Sequence, residues 1–230
     1  MVSIEVARPN QLDDVYDRIL ARSFPPEALV DRSSFLTFAT WGEVLVRLGN
    51  DGTIRAAAVG DHSPATGLLV LEYLAVAPDR RSAGSGSKLF NQARERWTEL
   101  MHPGAFLAAM ERPDGHPASE DYGDPVRRLE FYRRRGMQAL ALPYFRPAMS
   151  ADSTPVPDLL LGVLVEDPTW VQDGKFLQGA RIAVLLNERN PDPAPAERAA
   201  WDALIAACEG PIDLVDLADY DQIPRSGPIA

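Results

Sequence analysis

Cysteine is almost missing from the 230 residues: Cys208 is the only one, which excludes an intrachain disulfide framework and a multi-cysteine metal site. Lysine is scarce as well. Of 23 cationic residues only Lys88 and Lys175 are lysines, and they stand against 33 acidic residues, for a formal net charge of -10. That balance argues against a long nucleic acid as main partner, because phosphate neutralisation dominates such affinity. No segment approaches the roughly 18 consecutive apolar residues that suit a membrane span. Residues 1–9 carry no apolar run behind a basic stretch, so the chain reads as a cytosolic protein without a membrane partner. Internal repeats and low-complexity tracts are absent too.

What is present is ordinary for a soluble globular protein: 46% hydrophobic and 24% charged residues. The length allows one elaborated α/β domain, or a domain with an extension. Leu12, Val15, Ile19 and Leu20 lie at helical spacing within residues 11–24, where Phe24-Pro25-Pro26 stops the helix. A second helix is expected after Pro26 through Leu29, Phe35 and Phe38. Residues 44–48 and 54–59 then read as a hairpin around Asn50-Asp51-Gly52.

Residues 68–76 are apolar except for Glu72, which suggests a strand buried on both faces and stopped by Pro78. A helix over residues 86–100 would turn Leu89, Phe90, Ala93 and Trp97 to one side, and residues 106–110 form the next strand. Residues 111–125 are dense in turn formers. A short helix follows over 126–135 and ends at Gly136, then strands over 137–145 and 159–165. Beyond Asp167 the character changes to helices over 176–187 and 196–208 joined by a proline-rich linker. Residues 213–220 remain open between a docked strand, a helical turn and a frayed tail.

Between the apolar strand and the following helix lies Arg80-Arg81-Ser82-Ala83-Gly84-Ser85-Gly86-Ser87. There, backbone N–H groups and the helix dipole can hold an anion. The stretch is neither a P-loop nor the dinucleotide fingerprint, since the lysine and the third glycine are wanting. Glycine content alone fits a flexible loop equally well. His62, His102 and His116 fall in predicted loops with no metal-pair spacing, so no metal site is expected.

Arg81-Ser82-Ala83-Gly84-Ser85-Gly86, following a strand that ends in Leu74-Ala75-Val76, resembles the Arg/Gln-x-x-Gly-x-Gly/Ala element of the GNAT acyltransferase superfamily. Further along, Phe131-Tyr132-Arg133-Arg134-Arg135-Gly136-Met137 is similar to that family's helix ending in Phe-Tyr-x-x-x-Gly-Phe. The two motifs stand in the family's order. The resemblance spans residues 2–165 and implies an α/β GNAT fold, a mixed central sheet with flanking helices. Residues 1–166 would form the acyltransferase domain and 167–230 a C-terminal helical extension.

The resemblance further implies acetyl-CoA, or another acyl-CoA, as co-substrate. Its pyrophosphate would lie on the backbone of Arg81, Ser82, Ala83, Gly84, Ser85, Gly86 and Ser87, and its pantetheine arm along Leu74, Ala75 and Val76. Acyl transfer to an amine needs a base, donors for the oxyanion and an acid for the departing thiolate. Glu72, inside an apolar strand, would have a raised pKa that suits a base, or else pairs with a buried arginine. Tyr132 holds the position of the family's proton-donating tyrosine; the alternative is a core aromatic with a satisfied hydroxyl. Glu111 could be a second base, a cation-recognising group or half of a rim salt bridge.

The implied function is transfer of an acyl group, acetyl first, to a primary amine of a small molecule by direct attack in a ternary complex. Two other readings stay open. One is a transferase that uses aminoacyl-tRNA or another non-acetyl donor, since Arg80, Arg81, Arg127, Arg128, Arg133, Arg134 and Arg135 make the one dense basic region. The other is a non-catalytic acyl-CoA-binding module. A homodimer is a mild expectation from the commonness of two-fold assemblies.

Overall fold

The computed structural model describes residues 4–80, 84–120, 122–149, 153–227 and 229. The chain divides into two compact units, Met1–His62 with Leu69–Pro103 and Ser63–Leu68 with Gly104–Ala230. Helices and strands are mixed in both, with ten strands among the described residues.

The first unit opens with strand β1 (Ile4–Val6) and a helical stretch that starts as helix α1 (Leu12–Asp14) and winds on as a π-helix over Val15–Leu20. The Ala21 N–H reaches back five residues to the Tyr16 carbonyl at 2.9 Å. Val15, Ile19 and Leu20 are fully buried, so the amphipathic reading of residues 11–24 holds although the winding is wider than expected. The second helix is interrupted: a 3-10 turn covers Pro26–Ala28, and helix α2 (Arg32–Phe38) begins anew at Asp31, whose carboxylate accepts the Ser34 N–H at 3.0 Å.

Strands β2 (Glu43–Leu48) and β3 (Ile54–Ser63) form the expected antiparallel hairpin, and β1 pairs with β2 on the other side. Next to β3 lies β4 (Leu68–Val76), then helix α3 (Ser85–Met101). Leu89, Phe90, Ala93 and Trp97 are the buried face of α3. Burying each of the larger ones is worth about 1.5–3 kcal/mol. The Glu43 carboxylate accepts from Trp97 Nε1 at 2.6 Å and from Arg96 Nη2 at 2.8 Å, tying α3 to β2. Gly60 permits this approach, since a Cβ there would lie 2.7 Å from the Trp97 ring.

In the second unit, β5 (Ala105–Glu111) pairs antiparallel with β7 (Leu159–Val165) along its whole length, from Ala105 opposite Val165 to Glu111 opposite Leu159. Helix α4 (Pro125–Arg133) lies between them in sequence. The strand expected over 137–145 shrinks to β6 (Gln138–Leu140). Leu142 N–H bonds to the Leu140 carbonyl and Tyr144 N–H to the Leu142 carbonyl, both at 2.8 Å, so the chain coils into tight turns around Pro143.

The C-terminal segment carries helices α5 (Gly179–Arg189) and α6 (Arg198–Ala207) as expected of a helical extension, but also strands. Val171–Gln172 (β8) and Lys175–Phe176 (β9) make a small hairpin, so Phe176 is strand rather than helix. Residues 213–220 resolve into β10 (Ile212–Asp216), which pairs with β6 and β9, followed by a 3-10 helix over Leu217–Gln222. The strand order of this unit is therefore β5-β7-β6-β10-β9-β8. No helix among the described residues is long and apolar enough to cross a membrane.

Candidate active site

Strand β4 alternates where continuous burial was expected. Leu69, Leu71, Tyr73 and Ala75 are buried, while Val70, Glu72, Leu74 and Val76 are half-buried. Glu72 thus belongs to the more open face, and the full burial assumed for it from the sequence is corrected: an alternating strand presents every second residue to each side. Tyr73 and Ala75 sit in the core of the first unit with Val15, Ile19, Phe35, Val44 and Val59. The Tyr73 hydroxyl accepts the Val30 N–H at 3.2 Å, and its ring meets Phe24 edge-on at 5.1 Å. No local pattern in the sequence signals this anchor, because its partner lies 43 residues away.

The strand closes on β3 through the Ala77 N–H to the Arg55 carbonyl at 2.9 Å, and a 3-10 turn follows over Pro78–Arg80. Arg81, Ser82 and Ala83 lie outside the described residues. Gly84 is the N-cap of α3 in the left-handed region, at φ +96 and ψ -7. Only glycine takes that conformation without strain. Ser85, Gly86 and Ser87 form the opening turn, so α3 starts one residue earlier than expected, and no acidic residue occupies that turn. A positive helix end with small residues and no carboxylate in its first turn is compatible with an anion.

In the second unit, Glu111 ends β5 and forms an ion pair with Arg128 of α4, which is the salt-bridge alternative for that carboxylate. Arg128 Nη2 also donates to the Tyr122 carbonyl at 2.9 Å. One turn further on, Tyr132 is only 7% exposed. Burial pushes its phenol up to about 12 despite an opposing pull from Arg128 and Arg135, so the hydroxyl is protonated at neutral pH. Phe131 stands edge-on to Tyr132 at 5.1 Å, and the Arg135 guanidinium lies 3.6 Å from the centre of the Phe131 ring. Gly136, at φ +81, turns the chain out of the helix.

Two side chains depart from expectation. Arg112, in the stretch dense in turn formers, is 2% exposed; its Nη1 donates to the Ile223 carbonyl at 2.8 Å and its Nε to Asp114 at 3.2 Å. Contact with a carbonyl 111 residues away leaves no local signal. His62, expected in a loop, lies in β3, half-buried, and burial lowers its pKa.

No protein-family model matches the sequence, and no curated protein does. Solved structures do match. A ribosomal-protein-S18-alanine N-acetyltransferase of Escherichia coli aligns at 16% identity and a TM-score of 0.52, over 72% of this chain and 94% of its own. An acetyltransferase of Bacillus subtilis in complex with CoA aligns at 16% and 0.51, over 72% and 99%. A spermidine/spermine N-acetyltransferase of Vibrio cholerae aligns at 7% and 0.50, over 71% and 92%. At these identities the likeness is one of fold: about 72% of the chain adopts the fold of GNAT acetyltransferases.

Proposed function

We propose that this GNAT-fold chain is an N-acyltransferase that moves an acyl group, acetyl first, from acyl-CoA to a primary amine of a small molecule. The observation that carries the reading is the join of β4 to α3: a glycine in the left-handed region at the head of a 17-residue helix, with no acid in its first turn. That end would receive the coenzyme's pyrophosphate, and Leu74, Ala75 and Val76 its pantetheine arm. A related fold has been solved with CoA in the Bacillus subtilis protein.

The reaction forms a C–N bond and breaks the thioester C–S bond. The attacking amine gives up its proton to Glu72, directly or through a water, and the departing thiolate takes one from the Tyr132 hydroxyl. A phenol that stays protonated at neutral pH suits the second step. The oxyanion of the tetrahedral intermediate would be met by a backbone N–H near Ala75 or Val76. The tRNA-dependent alternative loses ground on one observation. Arg127, Arg128, Arg133 and Arg134 pair with Asp124, Glu111 and Glu130, so much of that basic region is offset within the chain.

Calorimetric titration with acetyl-CoA, with desulfo-CoA and adenosine diphosphate as controls, tests the donor. Saturable acetyl-CoA binding followed by acylation of an amine in a broad panel is the expected result. Absence of acetyl-CoA binding overturns the acetyl-donor reading, and binding without any transfer favours the non-catalytic module.

A further inference from the structure

We propose that Arg128, clamped by Glu111 at the end of β5, is a positioning residue that acts through Tyr132 and supports the phenolate left after proton donation; this rests on the acyltransferase reading above. Arg128 and Tyr132 are four residues apart in α4 and share one helix face. Residues four apart on a helix are neighbours, with about 5–6 Å between their Cβ atoms. The guanidinium is fixed by two acceptors on different segments, the Glu111 carboxylate and the Tyr122 carbonyl. Its side chain is 28% exposed, so its field is screened less than that of a freely solvated arginine.

The chemistry shows why such support is needed. A phenol near 12 is a weaker acid than an alkyl thiol near about 8.5, so moving its proton to a thiolate runs uphill. In that step the O–H bond of Tyr132 breaks, an S–H bond forms on the coenzyme, and the phenolate recovers a proton from water afterwards. The pull of Arg128 is already contained in that value, and without it the step would run further uphill. Arg135 is the other cation that acts on Tyr132, but it lies over Phe131 and donates to the Phe131 carbonyl at the end of the helix. Arg128 is held instead from β5, by Glu111, whose charge partly offsets its own and fixes its direction.

The test has a binding-independent arm and a kinetic one. A fluorinated tyrosine incorporated at position 132 of the full chain brings the phenol into an accessible range, where phenolate absorbance reports its titration. In Arg128→Gln, which keeps a donor toward Glu111, and in Arg128→Met, it is expected to titrate about one pH unit higher, and Arg128→Lys to restore most of the difference. An unchanged titration in both neutral variants overturns the proposal, whatever the chain's activity. With acetyl-CoA, Arg128→Gln is expected to lower kcat about tenfold at constant KM for the donor. The loss should shrink with an aryl thioester, whose thiolate departs without a proton, and the Arg128→Gln/Tyr132→Phe pair should be no slower than Tyr132→Phe alone. Additive losses, or the same loss with both donors, overturn a role through Tyr132. A wild type that acylates no amine while the titration moves as expected overturns the acyltransferase reading and leaves the Arg128–Tyr132 coupling standing.

Discussion

Helix α3 begins at Gly84, which offers no side-chain acceptor, and its first turn contains no carboxylate. Helix α4 begins at Asp124, whose carboxylate accepts the Val126 N–H at 2.9 Å, with Pro125 in the first helical position. Both ends carry the partial positive charge of aligned peptide dipoles. At α4 the chain satisfies that end itself with an anionic side chain and a residue that has no N–H to satisfy. At α3 neither the N-cap nor the first turn supplies them, and a glycine cap costs roughly a few tenths of a kcal/mol relative to an aspartate one. The difference separates a helix built to hold its own start from one whose start suits an external anion. On the proposed function, α3 would act through its beginning and α4 through Tyr132.

The sharpest way to break that division is Tyr132→Phe. It removes the proposed acid while keeping the buried ring, so kcat should fall about 100-fold or more with acetyl-CoA affinity retained. Steady-state kinetics alongside calorimetry would show it, and a parallel loss of affinity would collapse the distinction between the helices. Gly84→Glu should do the reverse. A side chain at φ +96 is strained, though a Cβ there meets nothing within 4 Å, and the added carboxylate repels phosphate. Acetyl-CoA binding is expected to weaken about 100-fold, or about 2.7 kcal/mol, while the backbone strain lowers the melting temperature by about 2–4 °C.

Asp124→Ala sharpens the comparison from the other side. Loss of the α4 cap should cost about 1 kcal/mol in urea unfolding and leave acetyl-CoA affinity unchanged. The smallest effect concerns α2, whose Asp31 cap is held below the ordinary carboxylate range, chiefly by the Ser33 and Ser34 hydroxyls. Because the folded value is depressed, its contribution is complete above the ordinary carboxylate pKa of about 4 and fades as pH falls through the folded value. The stability gap between wild type and Asp31→Ala should therefore stay constant from pH 8 to pH 5 and narrow only below about pH 4. A gap that closed already near pH 6 would show that the cap works through some other group.

Local chemistry made several parts of the molecule legible from residue order alone. The face of α3 could be read because Leu89, Phe90, Ala93 and Trp97 repeat at the helical period, and the β2–β3 hairpin because Asn-Asp-Gly marks its turn. Gly136 is readable as a helix-ending glycine that favours left-handed backbone, whereas the left-handed Gly84 emerges only in the structure. Asp31 is a capping residue in the sequence, but the longer apolar period through Leu29, Phe35 and Phe38 masks the interruption there. By contrast, the face on which Glu72 lies, the shortening of β6 and the partners of Glu111 gave no usable signal. Each depends on which strand or helix the chain brings alongside.

By itself, then, the sequence determined periodicity, turn chemistry and motif order, since these act between residues a few positions apart. Only the tertiary structure decided the environments that set reactivity: Glu72 on a half-open face, Tyr132 buried beneath the pull of Arg128, Arg112 closed under the carbonyl of Ile223, and β10 docked beside β6. Burial and long-range hydrogen bonding join residues tens to more than a hundred positions apart. Desolvation and Coulomb forces depend on separation in space, which no local pattern in the chain encodes.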